Sequence, residues 1–105
     1  MLICVIEFAT LPGQEERNRA LVTRLLVDAA TIDGFLSKET FLSRDNAGKV
    51  VTLSYWRDAA SLRTWMRHPA HRQAIALGRE ELFTRYSIQL AEVVTDKSWE
   101  RPTAV

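Results

Sequence analysis

Residues 55–86 read YWRDAASLRTWMRHPAHRQAIALGREELFTRY, and the fold is decided here. Tyr55 and Trp56 end an apolar run from Val50 to Arg57 that reads as a strand. Asp58 then supplies a carboxylate suited to cap a helix, and Ala59, Leu62, Trp65 and Met66 recur at helical spacing as a buried stripe. Pro69 cannot continue that helix without losing a backbone hydrogen bond, yet it suits the first position of a new one. The chain therefore kinks near His68. A second helical segment carries Ala70, Ala74, Leu77 and Gly78 on one face, and Tyr86 opens a strand that runs to Val94. A glycine inside a helix is less favourable than alanine by about 1 kcal/mol, so Gly78 marks either a close contact with a strand or the end of the helix.

Working outward, Asp45-Asn46-Ala47-Gly48 is a hairpin loop with residues able to take a positive φ, and it joins Phe35–Arg44, a strand, to Val50–Arg57. Upstream, Asp33-Gly34 is turn chemistry. Leu21, Val22, Leu25, Leu26 and Ala29 form the apolar face of an amphipathic helix that opens on Gln14-Glu15-Glu16 after the break at Pro12-Gly13. Residues Leu2 to Ala9 are apolar at every position except Glu7, the pattern of a strand buried on both faces. The element order β, α, β, β, α (kinked), β is that of an α+β, ferredoxin-like split βαβ domain with an antiparallel sheet. Helices in so short a chain cover one face of the sheet, so a first strand apolar on both faces predicts a second sheet from a partner chain, a homodimer.

The chain has 105 residues, 47% hydrophobic and 26% charged, with a net charge of +1. These values fit one soluble domain over 1–105, with its core at about 2–94 and a polar tail from 96 to 105 in which Trp99 is an anchor. Interleaved acids and bases give no electrostatic case for nucleic acid. The longest apolar run, Met1 to Ile6, is far below the roughly 20 residues that span a bilayer, and it lacks the basic flank of a signal peptide. The lone Cys4 has no internal disulfide partner and indicates a reducing cytoplasm.

No nucleotide-binding, zincin, serine-hydrolase or C-x-x-C motif occurs. His68 and His71, at i and i+3, are short of the three or four ligands that zinc needs, so no metal is expected. Trp65 is either core or the wall of a pocket opened by the kink. Tyr55 and Tyr86 flank the same region on strands. Glu7, the ionisable group of the first strand, needs a partner such as Arg57 or Arg85, since an unpaired buried carboxylate is costly. Arg79 reads as solvated helix surface paired with Glu80 or Glu81.

Ser54-Tyr55-Trp56, Trp65, His68-Pro69-x-His71, Gly78-Arg79-Glu80 and Tyr86, in this order, resemble the antibiotic-biosynthesis monooxygenase family, which includes haem-degrading monooxygenase-like proteins. The resemblance extends from about Leu2 to about Val94 and implies a dimeric α+β barrel in which two ferredoxin-like sheets face each other. It further implies oxidation of a planar aromatic or quinone-like small molecule by molecular oxygen, without metal or flavin. In cofactor-independent members an Asn-Trp pair one helical turn apart holds the substrate; Trp65 matches the Trp, and Ser61 stands in the Asn position. In haem-degrading members an Asn on the first strand and a His about ten residues after the Trp are expected; Glu7 and Ile75 occupy those places, which disfavours haem. On this reading His71 or Glu7 is the base, and Arg85 or the Trp65 N–H steadies the oxyanion. Ser61, Tyr55, Tyr86 and His68 complete the substrate-binding set. The alternatives are a non-catalytic dimeric ligand-binding module and a haem-degrading enzyme.

Overall fold

A computed structural model describes residues 1–103. Strand β1 (Leu2–Thr10) leads into helix α1 (Glu15–Ala29), strand β2 (Phe35–Leu42) and strand β3 (Lys49–Trp56). Helices α2 (Ala59–Arg67) and α3 (Pro69–Leu77), a π-helical turn at Gly78–Leu82 and strand β4 (Phe83–Glu92) follow. All neighbouring strands are antiparallel in the order β2-β3-β1-β4. Each helical connection thus skips one strand: α1 passes over β3, and α2–α3 passes over β1. This is the ferredoxin-like split βαβ arrangement expected from the sequence.

The register assigns every strand residue to a face. Phe8 pairs with Val50 and Tyr86, and Cys4 with Ser54 and Leu90. This face carries the helices: Cys4, Trp56, Leu62, Trp65 and Ala29 form the buried core. The opposite face holds Ile3 against Tyr55 and Glu7 against Val51 and Ser87. There Ile3, Val5, Val51, Leu53 and Tyr55 are half-buried, with no second layer over them among the described residues. The first strand is apolar on both sides, and this chain covers one of them.

Capping and turn chemistry place the elements. Asp58 caps α2, its Oδ1 accepting from the Ser61 N–H at 2.9 Å and from the Ser61 hydroxyl at 2.7 Å. Gly48 turns the β2–β3 hairpin at φ 82°. Gly78 permits a close approach: a Cβ there would lie 2.1 Å from the Phe83 ring. The wide π turn that starts at Gly78 brings the chain into β4 at Phe83, earlier than the expected Tyr86.

Four further expectations are corrected. Ala59 is exposed and Ser61 takes its place in the buried stripe, because the cap draws the Ser61 side chain inward. Leu26, at the edge of the α1 stripe, is 40% exposed. Strand β2 stops at Leu42, where the hairpin begins. Trp99 is no anchor; it is 72% exposed and stacks under Arg101 at 5.0 Å. No helix is long and apolar enough to cross a membrane among the described residues.

Candidate functional site

The kink forms the site. His68 ends α2 and starts α3 in extended conformation (φ −62°, ψ 135°), and its Nδ1 accepts from the Ala70 N–H at 3.1 Å. Pro69 follows at the first helical position, where its missing N–H leaves nothing unsatisfied. The break sets His71 edge-on to the Trp65 ring, with centroids 5.1 Å apart. Trp65 also stacks on Trp56 at 6.2 Å and is 1% exposed. It is at once core and wall.

Between these rings and the sheet lies a chamber of about 40 Å³, lined among others by Asn18 and Val22 of α1, Lys38 of β2, Thr52 of β3, Trp65 and His71. At roughly 10–15 Å³ each, it has space for about three waters. Its polar atoms are poorly satisfied: His71 Nε2 and Asn18 Oδ1 are buried without a hydrogen-bond partner, the residues being 3% and 4% exposed. Such orphans are rare in folded proteins, because each forfeits hydration without return. Lys38 places its Nζ 5.5 Å from the Trp65 ring centroid, and among the described residues no carboxylate lies within ion-pair distance of it.

These groups set each other's charge. Burial pushes Lys38 down from 10.5 to about 8, the nearest relief being the Cys4 and Asp28 side chains. Burial, and next the Lys38 ammonium, push His71 down from 6.5 to about 4, against a backbone hydrogen bond with Met66 that favours the protonated ring. His71 is therefore neutral near pH 7. Nε2, the ring nitrogen without a partner, is free to take the acceptor role in the chamber. Burial likewise raises the Cys4 thiol, opposed by its hydrogen bond with Ser54. The chamber thus offers two acceptors and one cation, a complement for an O–H group or the oxyanion it becomes.

The sequence-derived candidates divide by sheet face. Trp65 and His71 meet in the chamber. Glu7 lies on the opposite face, where its carboxylate pairs with Lys49 at 2.8 Å and Arg85 at 3.6 Å, and the Lys49 bond holds its carboxyl below the usual range. Glu7 as a candidate base beside His71 is thus corrected, because residue parity along β1 turns it away from the chamber. Lys49 takes the partner role expected of Arg57, which instead pairs with Asp33 and Asp58, each at 3.2 Å. Arg85 and Tyr55 share the open face with Glu7. Tyr86 is on the helix side, its ring 6.3 Å from Phe83, but outside the chamber lining. Ser61 is committed to the Asp58 cap and lines a separate surface hollow with Asp33 and Arg57. His68 caps α3. Among the described residues no group of three or more His, Cys, Asp or Glu could hold a metal ion.

Asn18 and Lys38 were missed by sequence reasoning, although both left a signal. Extending the α1 stripe Leu21, Leu25 and Ala29 back by one turn lands on Asn18. In β2, Lys38 occupies an inward position, opposite Ser54, between Phe35 and Thr40.

The family model described as "Antibiotic biosynthesis monooxygenase" matches residues 1–77. A jasmonate monooxygenase of Pyricularia oryzae is 28% identical over 93 residues, covering 89% of this chain and 43% of that protein, so the chain spans less than half of that relative's length. Among solved structures, Rv0793 from Mycobacterium tuberculosis superposes with a TM-score of 0.83 at 21% identity, covering 92% of this chain and 98% of that one. SnoaB from Streptomyces nogalater, described as a cofactor-independent oxygenase, gives a TM-score of 0.77 at 19% identity over 90% and 94% of the two chains. At these identities the structural likenesses speak to the fold.

Proposed function

The chain belongs to the antibiotic biosynthesis monooxygenase family, and from that footing we propose that it is a cofactor-independent monooxygenase of a planar aromatic or quinone-like small molecule. The observation that carries this reading is the chamber under Trp65, where an unpaired lysine and two unpaired acceptors converge. His71 Nε2 and Asn18 Oδ1 align a phenolic or enolic O–H. Lys38, with a pKa of about 8, sits nearer to neutrality than His71 at about 4 and is the better proton acceptor. At pH 7 roughly a tenth of Lys38 is the free amine. After taking the proton, its ammonium remains beside the oxyanion it created, and low surrounding polarity strengthens that pairing. The anion then passes an electron to molecular oxygen. One oxygen atom ends in the product and the other in water, the substrate supplying the electrons.

No step is routed through haem. Ile75 stands where the resemblance places a histidine ligand, His68 is spent on its cap, and a lysine shares the chamber with His71. The active form is a homodimer in the cytoplasm, closed by two open sheet faces packed together. The half-buried Ile3, Val5, Val51 and Leu53 support that pairing, since an apolar sheet face of this extent is normally covered. Sedimentation of wild type against Leu53→Glu tests it: wild type runs at twice the 12.0 kDa chain mass and the variant at one. A monomeric wild type would remove it.

Oxygen consumption with 1,8-dihydroxyanthrone tests the reaction. Wild type consumes oxygen, and Trp65→Phe, His71→Ala and Lys38→Met each slow it at least tenfold. Unchanged rates in all three would remove these assignments, while ligand binding without oxygen uptake would select a non-catalytic binding module. A Soret shift on adding haemin would reinstate the haem reading.

A further inference from the structure

The chamber of about 40 Å³ is too small for a polycyclic molecule, but it does not stand alone. Between the first half of α1 and the β2–β3 hairpin runs a groove of about 530 Å³, within the 300–1,000 Å³ typical of small-molecule sites. Asn18 and Val22 line both spaces, so the side chains that close the chamber also end the groove. Next to them the Thr40 and Thr52 hydroxyls bond to each other at 3.0 Å, one belonging to the groove wall and the other to the chamber wall. The groove is apolar along Val22, Leu42 and Val50. Leu42 stands at the hairpin end, 80% exposed, while Val50 on the floor is 7% exposed. The groove therefore grades from an open mouth, bordered also by Glu15, Glu16, Arg19 and Lys49, to a buried polar neck.

The neck is where the orphaned acceptors lie in sequence: Asn18 Oδ1 first, then His71 Nε2 deeper in the chamber. A buried acceptor without a donor is satisfied by a ligand that brings one. A bare ether or hydrocarbon leaves both unpaired. Building on the monooxygenase reading, we propose that groove and chamber form one binding site for an amphipathic aromatic molecule bearing a hydroxyl. Its apolar body lies between α1 and the hairpin, and its hydroxyl donates to Asn18 Oδ1 at the neck. Asn18 is the specificity-determining residue of this site, reading the O–H at the point where the ligand leaves the groove. The cleft on the other side of His71, between α3 and β4, is smaller at about 310 Å³ and bordered by Arg72 and Arg79.

Anaerobic titration with 1-naphthol and with 1-methoxynaphthalene, which lacks the donor, reads binding without any oxygen chemistry. Wild type binds the naphthol at least tenfold more tightly than the ether. Asn18→Leu abolishes this preference while keeping affinity for the ether. In Leu42→Cys, labelling the thiol with a bulky maleimide lowers affinity for both ligands at least tenfold relative to the same protein unlabelled. The native Cys4 is 0% exposed and takes no label, and each sample is its own folded control. Ala76→Trp, at the opposite cleft, leaves binding unchanged. A labelled L42C protein that binds as before, an Asn18→Leu variant that still prefers the naphthol, or loss of binding in Ala76→Trp would each overturn the proposal. Naphthol binding by this route in a protein that consumes no oxygen would uphold it and sink the monooxygenase reading instead.

Discussion

Replacing Lys38 with methionine makes the protein more stable and less active. Holding the ammonium in the chamber moves its pKa from 10.5 to about 8. At 1.36 kcal/mol per unit this corresponds to about 3 kcal/mol of penalty at pH 7, reduced to roughly 1–2 kcal/mol because the side chain keeps some contact with solvent. Removing the charge also removes its contact with the Trp65 face, which contributes about 0.5–1 kcal/mol in the opposite direction. Methionine fills a similar volume, so no cavity is left. The balance is a gain of about 1 kcal/mol, or roughly 5 °C in melting temperature for a domain of this size. The sign has a second consequence. Between pH 8 and 10.5 the unfolded chain holds a proton on Lys38 that the folded chain has released, so wild type gains stability as pH rises and the gap to the variant closes. Calorimetric melts of both proteins at pH 7 and pH 10 measure this. A variant that melts lower than wild type at pH 7, or a gap that does not narrow at pH 10, would refute the reasoning about Lys38.

His71 is pushed down to about 4 from 6.5, so as pH falls through that window the unfolded chain takes up a proton that the folded ring does not. Urea unfolding at pH 7, 5.5 and 4.5 will show stability lost toward acid, by up to about 3 kcal/mol from this group, and His71→Leu will flatten the profile. Gly78→Ala will destabilise although alanine is the better helix former by about 1 kcal/mol. Its methyl meets a Phe83 ring already stacked on Phe8 at 4.6 Å, and such overpacking costs about 1–3 kcal/mol in thermal melts. Asp58→Ala removes both bonds to Ser61 and will lower the melting temperature and speed amide exchange in the first turn of α2.

Much of this fold is legible residue by residue. Asp58, Pro69 and Gly48 each impose a local requirement that no distant contact overrides, and the structure uses all three as their chemistry dictates. The β1 pattern announces burial on both faces, and there sequence reading loses its footing. When both faces of a strand are apolar, alternation separates two residue sets without saying which one meets the helices. Glu7, a candidate base on the sequence, accordingly lies on the face away from Trp65 and His71. The same ambiguity hid Lys38, a charge at an inward position of a strand whose alternation is loose. Asn18 was overlooked for a different reason: a polar residue continuing an apolar stripe reads as the place where the stripe ends. Burial shows instead that the stripe continues through a polar member.

The stacking of Trp65 on Trp56, 20° from coplanar and wholly buried, also gives the protein an optical instrument of its own. Two indoles this close couple their electronic transitions, so the near-ultraviolet dichroism reports their mutual angle. Trp99, out in solvent, emits at the red end and is spectrally separable from the pair. A ligand sliding beneath Trp65, or a proton leaving Lys38 above its ring, perturbs one indole of the coupled pair directly. Occupancy and ionisation of the chamber can thus be followed in the unlabelled wild-type chain.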